Sequence, residues 1–166
     1  FGNVGIVKVE SEDGAALEER SEGKDGIGEG TFKNSKEAET VAKIIATITN
    51  ESKVAASDIG VITPYNGQKS LLKRILSEQT GVEVNTVDGF QGREKRIIIF
   101  SAVRSNRGKK VGFLSDGRRM NVAITRAKEA LIVVADTKTV GGGDRKWGEF
   151  FSWVKSNNGK SWTKFE

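Results

Sequence analysis

Arg96-Ile97-Ile98-Ile99-Phe100-Ser101-Ala102-Val103 is the stretch on which the fold reading turns. A near-continuous apolar run of this length, rich in β-branched residues, suits a parallel strand covered on both faces. Ala130-Leu131-Ile132-Val133-Val134-Ala135 is a second such run. Shorter strands are read at Val4–Val9, Asp58–Thr63 and Val82–Thr86, the second ended by Pro64. Between the strands lie helical patterns. Asn34-Ser35-Lys36-Glu37 has the form of a capping box, and Ala38, Val41, Ala42, Ile45 and Ile48 follow at helical spacing to about Asn50. Gly67 to Glu78 carries Leu71, Leu72, Ile75 and Leu76 on one face. A third helix is read from Asp116 through Met120, Val122, Ala123 and Ala127. Gly141-Gly142-Gly143 is read as a break before a last helix with Trp147, Phe150, Phe151 and Trp153. Strands alternating with helices predict one α/β domain over residues 1–166, an open parallel sheet with helices on both faces. Residues 10–34 are expected to be a mobile acidic loop, since Glu10–Gly30 has five glycines, eight acidic residues and no apolar periodicity.

Composition narrows the chemistry. The 166 residues include no Cys and no His, which removes disulfides, thiolate nucleophiles, imidazole bases and the usual zinc ligands. Carboxylates, Lys, Arg, hydroxyls and backbone amides remain. No run approaches the ~20 apolar residues of a membrane span, and the first residues carry no signal-type segment, so a non-membrane, intracellular chain is expected. The net charge is +5, and it is uneven. Residues 1–60 hold 7 basic and 12 acidic residues, whereas residues 61–166 hold 20 and 10. Arg93–Lys128 holds 11 basic residues against Glu94 and Asp116. Such a stretch suits a polyanion, and it is equally the pattern of a solvated basic face.

Three polar, glycine-bearing segments are read near carboxyl ends of strands, where open α/β sheets bind ligands. Ile62-Thr63-Pro64-Tyr65-Asn66-Gly67-Gln68 turns a strand into a helix N-terminus, offering free N–H groups and a hydroxyl to a phosphate. It is also an ordinary turn. Asn85-Thr86-Val87-Asp88-Gly89-Phe90-Gln91-Gly92-Arg93-Glu94 sets two glycines among groups able to bond a sugar or phosphate, with Phe90 read as core. Gly112 to Lys128 places Arg119 and Arg126 seven apart, on the same face of the third helix. A rigid arginine fork suits phosphate, though helix-surface arginines are common.

Together these segments resemble motifs IV, V and VI of superfamily 1 helicases, in the branch of the up-frameshift, senataxin-like and immunoglobulin mu-binding helicases. The stretches that carry the resemblance are VITPYNGQ at 61–68, NTVDGFQGREK at 85–95, SAVRSN at 101–106 and GFLSDGRRMNVAITRAK at 112–128. The resemblance implies a C-terminal, second RecA-like domain, of the P-loop NTPase fold but without the P-loop. No G-x-x-x-x-G-K-[ST] occurs, so a first domain in the same parent chain is expected to supply the phosphate loop and the Asp-Glu that holds Mg²⁺ for ATP. By position, Arg126 is similar to the arginine finger. Gly92, Glu94 and Arg104 are implied on the ATP side, with Glu94 on the ribose. Thr63, Pro64 and Thr86 are implied contacts to single-stranded RNA or DNA, and Tyr65 and Gln68 are left open to either ligand. No metal ligand is implied on this chain. The location implied is cytoplasmic or nuclear. A stand-alone basic nucleic-acid-binding module without catalysis is the alternative; a dehydrogenase-type domain is set aside because no G-x-G-x-x-G follows a strand.

Overall fold

The computed structural model describes residues 3–21, 31–79, 81–157 and 160–162. In chain order the elements are β1 (Asn3–Lys8), β2 (Glu19–Ser21), β3 (Thr31–Lys33), α1 (Ser35–Glu51), β4 (Ile59–Thr63), α2 (Asn66–Ile75), β5 (Glu83–Thr86), β6 (Lys95–Ser101), α3 (Gly117–Ile124), β7 (Ala127–Ala135), α4 (Thr137–Gly143), α5 (Arg145–Ser156) and β8 (Lys160–Trp162). Six strands form one sheet in the order β5-β4-β6-β7-β1-β8, and every pairing in it is parallel. The two long apolar runs became its middle, β6 beside β7, with Ile98 opposite Leu131.

Alternation along the strands sorts the core into two layers. Ile59, Val61, Ile97, Ile99 and Val134 meet Ala38, Val41, Ile44 and Ile45 of α1 and Leu71 and Leu72 of α2. Ile62, Ile98, Phe100, Leu131 and Val133 face the other way, onto Met120 and Ala123 of α3, Val140 of α4 and Trp147 of α5. Helices therefore cover both faces. Trp147 stacks on Phe100 with ring centroids 5.7 Å apart and donates its indole N–H to the Leu114 carbonyl at 2.9 Å. Gly60 is required in β4, because a Cβ there would lie 2.6 Å from the Phe90 ring.

Four expectations are revised. Residues 10–34 are not simply a loop: β2 and β3 pair antiparallel within them, Glu19 opposite Lys33, while 22–30 lie outside the described residues. The triple glycine does not break the chain but forms the last turn of α4. Side chains have no room there, since a Cβ on Gly143 would overlap the Lys109 carbonyl and one on Gly141 would touch the Phe151 ring at 3.1 Å. The third helix stops at Ile124, and Ala127 belongs to β7. Lastly, β8 adds an edge strand beside β1 where no strand is read from the sequence.

Candidate functional site

Because all six strands run the same way, the segments singled out in the sequence divide between two ends of the sheet. Thr63 and Thr86 end β4 and β5 as register partners. The Thr63 side chain is buried, and its Oγ1 has no hydrogen-bond partner. Pro64 is half-buried. Thr86 Oγ1 accepts the Gly89 N–H at 3.2 Å, closing the turn that follows β5.

Tyr65 and Gln68 turn inward, contrary to the reading that left them open to a ligand. Gln68 Oε1 accepts the Asn34 N–H at 2.8 Å, and its Nε2 donates to the Asn34 carbonyl at 3.1 Å and to Ser101 Oγ at 3.0 Å. The Tyr65 hydroxyl donates to the Val111 carbonyl at 3.3 Å. Both side chains are spent on the fold.

Glu37 closes the same network. Only half of the expected capping box forms: Asn34 Oδ1 accepts the Glu37 N–H at 3.1 Å, but the Glu37 carboxylate turns into the interior. There its Oε2 accepts Ser101 Oγ–H at 2.7 Å and the Val103 N–H at 2.8 Å. Burial pushes the Glu37 carboxyl up to about 8, against the opposing pull of those two donors. Val103 sits at φ 72, rare for a β-branched residue. Glu37 holds its N–H, and Asn34 Nδ2 holds its carbonyl at 3.1 Å. The network thus supports a strained backbone directly before Arg104.

Arg104 is 6% exposed and faces Glu18. Its Nε and Nη2 donate to the Glu18 carboxylate at 2.9 and 3.3 Å, which also accepts the Ser105 N–H at 2.8 Å and Asn106 Nδ2–H at 3.0 Å. The guanidinium lies 4.1 Å from the centroid of the Phe32 ring. Glu18 reads as one more acid of the loop in the sequence, and nothing local marks it as this partner.

The other end of the sheet gathers Gly92, Glu94 and Arg126. Gly92, at φ 78, and Glu94 are exposed on the approach to β6. Arg126 follows the end of α3, and its carbonyl accepts the Lys95 N–H at 3.1 Å, which sets it beside Glu94. Its side chain folds back: Nε donates to the Val122 carbonyl at 3.1 Å and Nη2 to Thr125 Oγ1 at 3.4 Å. Among the described residues no carboxylate lies within ion-pair distance of Arg126. Arg119, expected on the same helix face, is instead drawn to Asp88 at 3.4 Å and Asp116 at 3.7 Å. An open cleft of about 190 Å³ lies between the turn after β5 and α3, lined by Val87, Asp88, Gln91, Arg118, Arg119 and Val122. These groups therefore precede β6 and β7 rather than follow them, and Arg104, at the far end of β6, does not join them. At ~3.3 Å per residue, the seven residues of β6 separate Arg104 from Glu94 by roughly 20 Å or more.

The match to a known family spans all of these segments. A family model described as an AAA domain matches residues 6–138. The regulator of nonsense transcripts 1 homolog of Neurospora crassa is 44% identical over 119 residues, 66% of this chain and 11% of that protein. This chain belongs to the up-frameshift-type superfamily 1 helicases. Within that family, the DNA polymerase alpha-associated DNA helicase A of Schizosaccharomyces pombe is 45% identical over 140 residues, 82% of this chain. The DNA-binding protein SMUBP-2 of Mesocricetus auratus is 50% identical over 91 residues, 54% of this chain. The chain spans 20% and 9% of the length of these two relatives. A solved C-terminal domain of a possible DNA helicase from Lactobacillus plantarum aligns with a TM-score of 0.49 at 14% identity, covering 81% of this chain and 73% of that one. The domain described here is an α/β fold built on one six-stranded parallel sheet. No helix among its described residues is long and apolar enough to cross a membrane.

Proposed function

We propose that this chain is the second, C-terminal RecA-like domain of an ATP-dependent helicase acting on single-stranded RNA or DNA in the cytoplasm or nucleus. It would close on a first domain of the same protein with ATP between them. The observation that carries the reading is Arg126: a guanidinium tethered to a helix end, without an acidic partner among the described residues, beside exposed Glu94 and Gly92. A guanidinium held by its own backbone needs little reorganisation to stabilise charge on a departing phosphoryl group. Glu94 would accept a hydrogen bond from the ribose, and Gly92, with no Cβ, would let the backbone approach. Mg²⁺ would neutralise phosphate charge when bound; the described residues hold no cluster of three acidic groups able to bind it, and it is assigned to the first domain.

At the other end of the sheet, Thr63, Pro64 and Thr86 would meet the nucleic-acid backbone. The buried Thr63 contributes through the shape of the strand end, while Pro64 and Thr86 present the surface. Arg104 acts from within, pinning residues 10–21 to the end of β6, and so links strand contacts to domain closure rather than touching ATP.

The test is Arg126→Ala in the full protein. ATP turnover should fall by about 10³–10⁵ while single-strand affinity stays near its starting value. A folded variant with near-normal turnover would return Arg126 to the role of a helix cap and favour a binding module without catalysis.

A further inference from the structure

The basic loop that follows Arg104 is built more firmly than a solvated turn requires. Asn106 makes it rigid: its Oδ1 accepts the Lys110 N–H at 2.8 Å, its Nδ2 donates to the Lys110 carbonyl at 2.8 Å, and its carbonyl accepts the Lys109 N–H at 3.2 Å. The Asn106 N–H donates to Thr139 Oγ1 at 3.0 Å, which anchors the loop to the first turn of α4. Lys109 is held in the left-handed region at φ 51, its carbonyl set against Gly143 so closely that no Cβ fits between. This backbone presents Arg107, Lys109 and Lys110, all exposed. None of the three lies within ion-pair distance of a carboxylate among the described residues. Glu18, at the loop's base, is already consumed by Arg104, Ser105 and Asn106, and Asp136 beside it by Ser105 and Thr139.

Position gives the cluster a partner. Thr86 and Thr63 stand at the carboxyl ends of β5 and β4, and this loop leaves the same end of β6 and crosses to α4 beyond β7. With neighbouring strands ~4.8 Å apart, the distance from β5 to β7 is about 15 Å, within reach of a short run of nucleotides. We infer that Arg107, Lys109 and Lys110 form a preformed phosphate-binding tip that extends the single-strand path past Thr63. It would contact the sugar-phosphate backbone without reading bases. The inference rests on the proposed nucleic-acid track and adds an element to it. A rigid loop loses little conformational freedom on binding, which favours contact by preorganisation.

Salt dependence tests it. Each phosphate neutralised on a single strand contributes ~0.7 to the slope of log K against log salt. In the full protein, Arg107→Gln/Lys109→Gln/Lys110→Gln should lower that slope by about 2 for labelled oligo-dT and oligo-U of one length. Lys43→Gln/Lys53→Gln/Lys73→Gln removes the same charge from exposed positions elsewhere and should leave the slope unchanged. Equal loss in both variants would mean that only net charge matters, and loss in neither would free the loop for a different partner; either result overturns the inference while the track survives. If the unsubstituted protein shows no salt-dependent binding, the track itself falls and the inference with it. Melting checks folding; should the triple variant unfold, Arg107→Gln alone should lower the slope by about 0.7.

Discussion

At the scale of single residues, two side chains make opposite demands on their surroundings. Arg126 is half-exposed and held by its own backbone. What matters there is the planar fork, so Arg126→Lys should restore little of the turnover lost in Arg126→Ala, although the charge is kept. Turnover and strand affinity measured on the same preparation separate this from a structural role. Glu37 is buried, and its carboxyl is raised to about 8 by that burial. Its folded value lies above the ordinary ~4.3 of the unfolded chain, so the folded state binds the proton more tightly. Its stability contribution is therefore complete below about pH 4 and is lost as pH rises toward 8. Glu37→Gln keeps the shape without the charge. The variant should melt higher than the parent at pH 8.5, the two should converge near pH 5, and a parallel offset across that range would contradict the assignment.

Elements explain what was legible in the sequence and what was not. Wherever one helix or strand carried its own pattern, it could be read: β6 and β7 from continuous apolar runs, α1 from spacing and Asn34, α3 from Asp116, whose side chain accepts the Arg118 and Arg119 N–H groups. Boundaries decided by a neighbour could not. Ala127-Lys128-Glu129 are good helix formers, but Ala127 pairs with Lys95 and is drawn into the sheet. That single override took Arg126 off the expected helix and set it directly before β7. The triple glycine misled for a related reason, since its meaning lies in Lys109 and Phe151 rather than in local flexibility. Gly143→Ala should therefore destabilise the protein by about 1–3 kcal/mol through overpacking, despite the ~1 kcal/mol that alanine gains in a helix. At roughly 2–4 °C per kcal/mol for a domain of this size, thermal melting resolves the sign. A rise in melting temperature would show that the loop yields instead.

For the whole molecule, the division of labour between the two ends of the sheet is the organising fact. Of the residues read as ATP-facing, Gly92, Glu94 and Arg126 precede β6 and β7, while Arg104 lies beyond the far end of β6, the end at which Thr63 and Thr86 close β4 and β5. Assayed by itself, the 166-residue chain should bind single strands weakly and turn over no ATP, because the phosphate-loop lysine is not among its residues. Hydrolysis that scales with protein and survives repurification would overturn this. The pairing of β1 has a different consequence, one that concerns the ribosome. Val4 pairs with Leu131, 127 positions later, and the other flank of β1 is covered by β8, later still. At ~5–20 residues per second, β1 is exposed for about 6–25 s before its first partner strand has even been made. Ile6 and Val7, buried in the finished sheet, are on offer to chaperones and to other nascent chains throughout that interval. The half-sheet β5-β4-β6 has no such wait, so cotranslational folding should begin in the middle of the chain and recruit β1 late, with β8 adding to it afterwards.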